Sequence, residues 1–113
     1  MEKTEFLEQY IFAGLTNLND GFTTETIHYF SESDFEKVLE RSAKFGVGIY
    51  SIEPWFEGKL YGVKGNEDYN KKATDPKWYT KAFMDFKREK ADLLYSATFR
   101  VSEKLRNKKN LDF

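Results

Sequence analysis

The sequence predicts an α+β domain, in which a small mixed β-sheet has two helices packed on one face, in the order β-β-α-β-β-α-β. Three observations support this class: complete helix signals at positions 31–46, a second helix start at Asp75 and Pro76, and strand-like segments around both helices. The chain has 113 residues, the usual length of one domain. We predict a single domain over residues 1–113, with a basic, partly ordered tail at residues 103–113.

The first two strands are predicted on either side of a turn-rich loop. Gln9–Ala13 is a short apolar segment, and Thr24–Phe30 contains β-branched and aromatic residues. The loop between them includes Asn19, Asp20 and Gly21, residue types that tolerate positive φ. The two strands would therefore form a hairpin with a long connection.

The first helix has signals at both of its ends. Ser31 is the predicted N-cap, and Ser33 with Glu36 is an alternative capping box. Gly46 is placed to end the helix in the left-handed conformation.

Val47–Trp55 is mostly apolar, which is typical of a strand covered on both faces. The helix before it has the length of a crossover, so we expect this strand to run parallel to Thr24–Phe30. Pro54 cannot donate to a ladder and indicates an edge or a bulge. A tight reversal at residues 56–59 then leads into another strand, Leu60–Lys64.

Asp75 as N-cap and Pro76 at the first helical position begin the second helix, which we expect to end near Asp92. Tyr95–Ser102 alternates apolar and polar residues with a period of two, which predicts a last strand. The rival interpretation continues the helix to Lys104.

Composition limits the chemistry. Cysteine is absent, so disulfides and thiolate metal sites are excluded. No segment approaches the ~20 apolar residues of a membrane span, and the acidic N-terminus does not resemble a signal peptide. We therefore predict a cytoplasmic protein without a membrane partner. The single histidine and the lack of metal or phosphate-loop motifs predict no metal site and no cofactor.

Charge is unevenly distributed along the chain, although the formal net charge is only −1. Residues 1–63 contain 11 acids and 5 bases, whereas residues 64–113 contain 8 acids and 13 bases. Such asymmetry indicates either a charged binding face or two halves that attract each other in the fold.

The favoured functional prediction is a small, non-enzymatic protein-binding module of the inhibitor, immunity or adaptor type, whose acidic half would suit a basic protein partner. Large rings beside Pro54 at a sheet edge are typical of interface anchors. The candidate interface residues are Glu53, Trp55, Phe56 and Glu57. The competing interpretation is that Trp55 and Phe56 cover the core.

An alternative function is nucleic-acid association through the basic second half, with aromatic rings that stack on bases. The candidates are Lys71, Lys72, Lys77, Trp78, Tyr79, Lys81 and Arg88. The slightly acidic chain, with a pI near 5.9, weighs against this function.

A second alternative is a small-ligand enzyme. If the two strands around the first helix are parallel neighbours, their carboxyl ends bring together His28, Ser31, Ser33 and Glu53. Histidine and glutamate could then act as a general base and the group that orients it. A structural role for a lone histidine, with the serines acting as helix caps, is the competing interpretation.

Overall fold

The computed structural model describes residues 1–21 and 27–107, and within them four strands form one sheet. Its central strand is β1 (Gly48–Phe56), which pairs along most of its length with β4 (Leu94–Arg100). On the other side of β1 lie two short strands, β2 (Lys59–Leu60) and β3 (Lys64–Gly65). The α+β class is confirmed.

Two helices, α2 (Glu32–Phe45) and α3 (Pro76–Glu89), cover one face of this sheet, as predicted. Tyr95 of β4 lies between them. Its ring stacks on Phe35 of α2 and meets Phe83 of α3 edge-on, with both centroid distances 5.1 Å. The aromatic residues thus form the core where the helices and the sheet meet.

The helix starts follow the predicted signals. Ser31 Oγ accepts a hydrogen bond from the Asp34 N–H at 3.3 Å, so Ser31 rather than Ser33 caps α2. Gly46 ends α2 with φ of 76°. The side chain of Asp75 caps α3, which ends at Glu89, earlier than predicted, because the next residue is already extended.

The prediction of a first strand is wrong. Helix α1 (Lys3–Phe6) continues into a π-helical turn (Leu7–Ile11), where the sequence predicts strand Gln9–Ala13. The turn packs against α2, and Arg41 of α2 donates to the Ile11 carbonyl at 2.9 Å. This partner lies 30 residues away, which is why local sequence did not reveal it.

The prediction that Val47–Trp55 runs parallel to Thr24–Phe30 is also wrong, because every described strand pairing is antiparallel. Phe30 forms an isolated antiparallel bridge with Tyr95, so β4 lies between β1 and the Phe30 segment. The hairpin and β4 occupy both sides of β1 and leave no place for a parallel neighbour. Residues 24–26 of the predicted strand Thr24–Phe30 lie outside the described residues.

The tight reversal predicted at residues 56–59 is confirmed, with Glu57 and Gly58 at φ of 50° and 78° in the turn between β1 and β2. The strand predicted at Leu60–Lys64 is not continuous, because Leu60 belongs to β2, Lys64 belongs to β3 and residues 61–63 lie outside both strands. The prediction of a last strand rather than a longer helix is confirmed by β4.

Short helices occupy two other segments. A 3₁₀ helix (Asn66–Tyr69) follows β3, and a one-turn helix, α4 (Glu103–Arg106), occupies the start of the predicted tail, whose residues 108–113 lie outside the described part. Among the described residues, no helix combines the length and the apolar character that a membrane crossing requires.

Candidate functional site

The segment from β2 to the start of β3 exposes three large apolar side chains, which we call the hairpin edge: Leu60, Tyr61 and Val63. They are 50%, 38% and 53% exposed. No strand of the described part pairs with the outer side of this edge. An unpaired edge offers free backbone hydrogen-bonding groups to another chain. The hairpin edge therefore combines apolar area with unpaired backbone.

Trp55 lies beside the hairpin edge, on the sheet face opposite the helices. In the ladders it stands opposite Leu60 of β2 and Leu94 of β4, so the three side chains share that face. The Trp55 ring is partly exposed and also contacts the fully buried ring of Tyr29. The tryptophan is both a packing residue and a surface residue.

Glu53 occupies the same face, two residues before Trp55. Its Oε2 accepts hydrogen bonds from Ser51 Oγ at 2.8 Å and Thr98 Oγ1 at 2.9 Å. Ser96 Oγ donates to the Glu53 backbone carbonyl at 2.9 Å. The bonds from Ser51 and Thr98 hold the Glu53 carboxylate in one place on this face of the sheet.

The other two interface candidates lie elsewhere. Phe56 packs against the core on the helix side, and Lys90 Nζ lies 4.1 Å from its ring centroid. Glu57 is exposed at the tip of the hairpin. Only Glu53 and Trp55 of the four candidates share the open face of the sheet.

The hairpin edge is attached to α3 by polar contacts. The Tyr61 hydroxyl donates to Glu89 Oε1 at 3.2 Å, and Lys64 Nζ lies 3.5 Å from Glu89 Oε2. Lys64 Nζ also lies 3.9 Å from Asp85 Oδ2. These contacts fix the edge in place and leave Leu60 and Val63 about half exposed.

The residues predicted to gather at a ligand pocket do not converge, because the strands are not parallel. His28 stacks on Phe12 at 4.8 Å and lines a cavity of about 260 Å³. Ser31 and Ser33 line a separate one of about 510 Å³. Glu53 lines neither of these two cavities.

One residue links two of these candidates. Thr98 lines the cavity of His28 and donates to Glu53 Oε2, so it stands between the imidazole and the carboxylate. No hydrogen bond joins His28 and Glu53 within residues 1–21 and 27–107. The arrangement therefore lacks the base–orienter contact that the enzyme hypothesis requires.

Base stacking by Trp78 and Tyr79 is not supported, because both are 1% exposed in the core. Trp78 Nε1 donates to the Ala73 carbonyl at 3.4 Å. The helical spacing of these rings places them on the buried face of α3.

The basic nucleic-acid candidates divide into two groups. Lys81 and Arg88 both form ion pairs with Asp85. Lys71, Lys72 and Lys77 are exposed and form no ion pair within the described part of the chain. The predicted basic surface is thus reduced to the loop before α3 and its first turn.

The sequence predicts a strand at Leu60–Lys64, but the exposure of the hairpin edge is found only in the structure. The sequence does contain a signal for this exposure. Leu60, Tyr61 and Val63 occupy both even and odd positions of the predicted strand, so their side chains cannot all face the core.

Within residues 1–21 and 27–107, no three histidine or carboxylate side chains are grouped so that they could hold a metal ion. Comparison of the chain with protein-family models, with curated proteins and with solved structures found no match. The surface of this chain is therefore the basis for assigning its function.

Proposed function

We propose that this chain is a non-enzymatic protein-binding module that contacts a protein partner through the hairpin edge and Trp55. The observation that supports this function is the exposure of three apolar side chains within residues 60–63, along a side of the sheet that no described strand covers. Exposed apolar side chains that are grouped in this way are typical of interaction sites.

The chemistry of the surface fits a protein interface. Trp55 supplies a large ring of the type that dominates binding energy, and Leu60 adds apolar area on the same face. No described strand pairs with the outer side of β2 and β3, so this edge can also accept a strand of the partner by main-chain hydrogen bonds. Glu57 and Lys59 are exposed beside it and supply a polar rim.

The hairpin edge is preformed, which favours tight binding. Tyr61 and Lys64 are tied to Glu89 on α3, and strand pairing holds Trp55 between β2 and β4. A surface that is ordered before binding loses less entropy when the complex forms. The acidic excess of residues 1–63 suits a basic partner, and the corresponding class is an inhibitor, immunity or adaptor protein.

The test compares captured proteins from the source organism's lysate for three tagged chains. These are the wild type, the double variant Leu60→Asp with Val63→Asp, and the control Tyr50→Asp. Tyr50 is also an exposed apolar residue, 46% exposed, but lies five residues from Trp55 along β1, about 17 Å away.

We expect a stoichiometric partner to be retained by the wild type and the control and to be lost by the double variant. Circular dichroism establishes that each variant is folded. Equal capture by all three chains, or no stoichiometric partner for the wild type, contradicts the proposal.

A further inference from the structure

A second surface feature lies at the end of β1 that is remote from the hairpin. It is a pocket of about 350 Å³, which we call the basic pocket. Its lining residues are Tyr50, Asn66, Lys72, Ala73, Thr74 and Arg100. None of the residues of the hairpin edge contributes to it.

Lys72 and Arg100 are the charged residues of this lining, and within the described residues no carboxylate accompanies them. Neither forms an ion pair or a side-chain hydrogen bond in the described part of the chain. Lys64, Lys81 and Arg88, in contrast, all pair with Asp85. Two unpaired cations in one concave site create a positive potential that an anion neutralises.

The pocket has a rigid wall. The Ile49 N–H donates to the Ala73 carbonyl at 2.9 Å, and the Asn66 side chain donates to the Lys71 carbonyl at 2.9 Å. Gly48 lets the backbone approach closely, because a Cβ there would lie 3.2 Å from the Cβ atoms of both Ala73 and Arg100. The loop before α3 is therefore held against β1 and β4.

Tyr50 is presented to the pocket by an irregularity of the sheet. Ile49 pairs with Phe99 and Ser51 with Thr98, so Tyr50 is an extra residue without a partner in β4. Such bulges redirect side chains and are frequent beside binding sites. The 46% exposed Tyr50 ring lines the pocket beside the two cations.

From these features we infer that the basic pocket binds the phosphate of a nucleotide. Lys72 and Arg100 would hold the phosphate by charge-assisted hydrogen bonds. The Thr74 hydroxyl supplies a further donor, and the base stacks on the Tyr50 ring. The site does not depend on the proposed protein-binding surface.

The phosphate belongs either to a free mononucleotide or to a single-stranded nucleic acid, and two probes distinguish these sources. The ¹⁵N-labelled wild-type chain is titrated with adenosine 5′-monophosphate and with a short deoxythymidine oligonucleotide, each to millimolar concentration. Inorganic phosphate serves as a third probe. We expect amide shifts centred on Tyr50, Ala73 and Arg100.

Matched variants locate the site. Lys72→Gln and Arg100→Gln should each weaken binding about tenfold or more, the usual loss for a hydrogen bond to a charged group. Lys37→Gln removes the same charge from an exposed position on α2 and should leave affinity unchanged. Tyr50→Ala should weaken nucleotide binding and leave the binding of inorganic phosphate intact.

The outcomes separate clearly. Shifts with the mononucleotide that depend on Lys72 and Arg100 support a free nucleotide, and shifts with the oligonucleotide alone that show the same dependence support a nucleic-acid strand. Wild-type spectra that do not change with any probe overturn the inference, as does an equal loss in Lys37→Gln. Nucleotide affinity unchanged in Tyr50→Ala overturns the assignment of a nucleotide.

Discussion

The Trp55 ring meets the Tyr29 ring edge-on, with centroids 5.5 Å apart and planes at 82°. Tyr29 is fully buried, whereas Trp55 is partly exposed. Edge-to-face contact of this kind stabilises the pair beyond the area that it buries. The inner part of the tryptophan therefore stabilises the fold and its outer part is available to a partner.

Because of this dual role, we expect Trp55→Ala and Leu60→Ala, two truncations on the same face, to lower the free energy of unfolding by different amounts. Trp55→Ala should lower the free energy of unfolding by about 2 kcal/mol, because it removes apolar area and the Tyr29 contact. Leu60→Ala, at a half-exposed position opposite Trp55, should change it by less than about 0.5 kcal/mol. Urea unfolding measures both, and equal losses would show that the Tyr29 contact adds no stability.

The N-cap of α2 predicts that Ser31→Ala and Ser33→Ala change the stability of the fold by different amounts. Ser31→Ala removes the acceptor for the Asp34 N–H and should cost about 1 kcal/mol of stability. Ser33→Ala lies inside the first turn and should have little effect. Thermal unfolding of the two variants compares them, and a larger loss for Ser33→Ala would contradict the capping assignment.

Because the hydroxyl of Tyr79 is buried, we expect the fold to lose stability at alkaline pH. Burial, followed by the charge of Asp75, raises the pKa of Tyr79 from 10.0 to about 12. In the unfolded chain the phenol ionises near its ordinary pKa, so this contribution to stability is complete below pH 10 and is lost as pH rises toward 12. Urea unfolding followed from pH 9 to 12 measures the loss.

Tyr79→Phe is the matched variant for this effect. The Tyr79 hydroxyl has no hydrogen-bond partner within the described residues, so its removal should raise stability at neutral pH by up to about 1 kcal/mol. The variant should also lose less stability than the wild type above pH 10. A strong loss at neutral pH would show that the hydroxyl makes a stabilising contact.

Because Asp85 forms ion pairs, we expect the stability of the fold to fall at acid pH. Its hydrogen bond from Arg88, and then the charges of Lys81 and Lys64, hold the pKa of Asp85 below its ordinary value of 3.8. A depressed pKa stabilises the fold above pH 3.8, and the contribution is lost as pH falls through the folded-state value. Asp85→Asn should therefore be less stable than the wild type at pH 6, and the difference should shrink below pH 3.8.

Glu36→Gln is the control for this acid dependence, because Glu36 is exposed and forms no ion pair in the described part of the chain. Its stability difference from the wild type should be small between pH 6 and 3. Urea midpoints measured across this range compare the variants. A constant difference for Asp85→Asn would contradict the ion-pair origin.

The helices were predictable because their signals are local. Ser31, Gly46 and Asp75 determine their helix ends through contacts with residues four or fewer positions away. The hairpin turn at Glu57 and Gly58 is equally local. Such contacts can be inferred from sequence spacing alone.

The remaining elements depend on contacts between distant residues. Arg41 donates to the carbonyls of Ile11 and Ala13, and this cap stabilises a π-helical turn that the short apolar segment did not reveal. Phe30 pairs with Tyr95 rather than with β1, which removed the parallel crossover and the pocket predicted from it. The sequence suggested both Trp55 and Phe56 as anchors. Neighbours in a strand point to opposite faces, and the pairing register decides which of these faces is buried.

The position of β4 affects how the protein can be made. This strand lies late in the chain, yet it sits between β1 and Phe30 in the sheet. During synthesis, β1 and its hairpin leave the ribosome well before β4, the strand that pairs with most of β1, has been made. The nascent chain therefore exposes a second unpaired strand edge until Arg100 has emerged, and it is most prone to aggregate or to recruit chaperones in that interval.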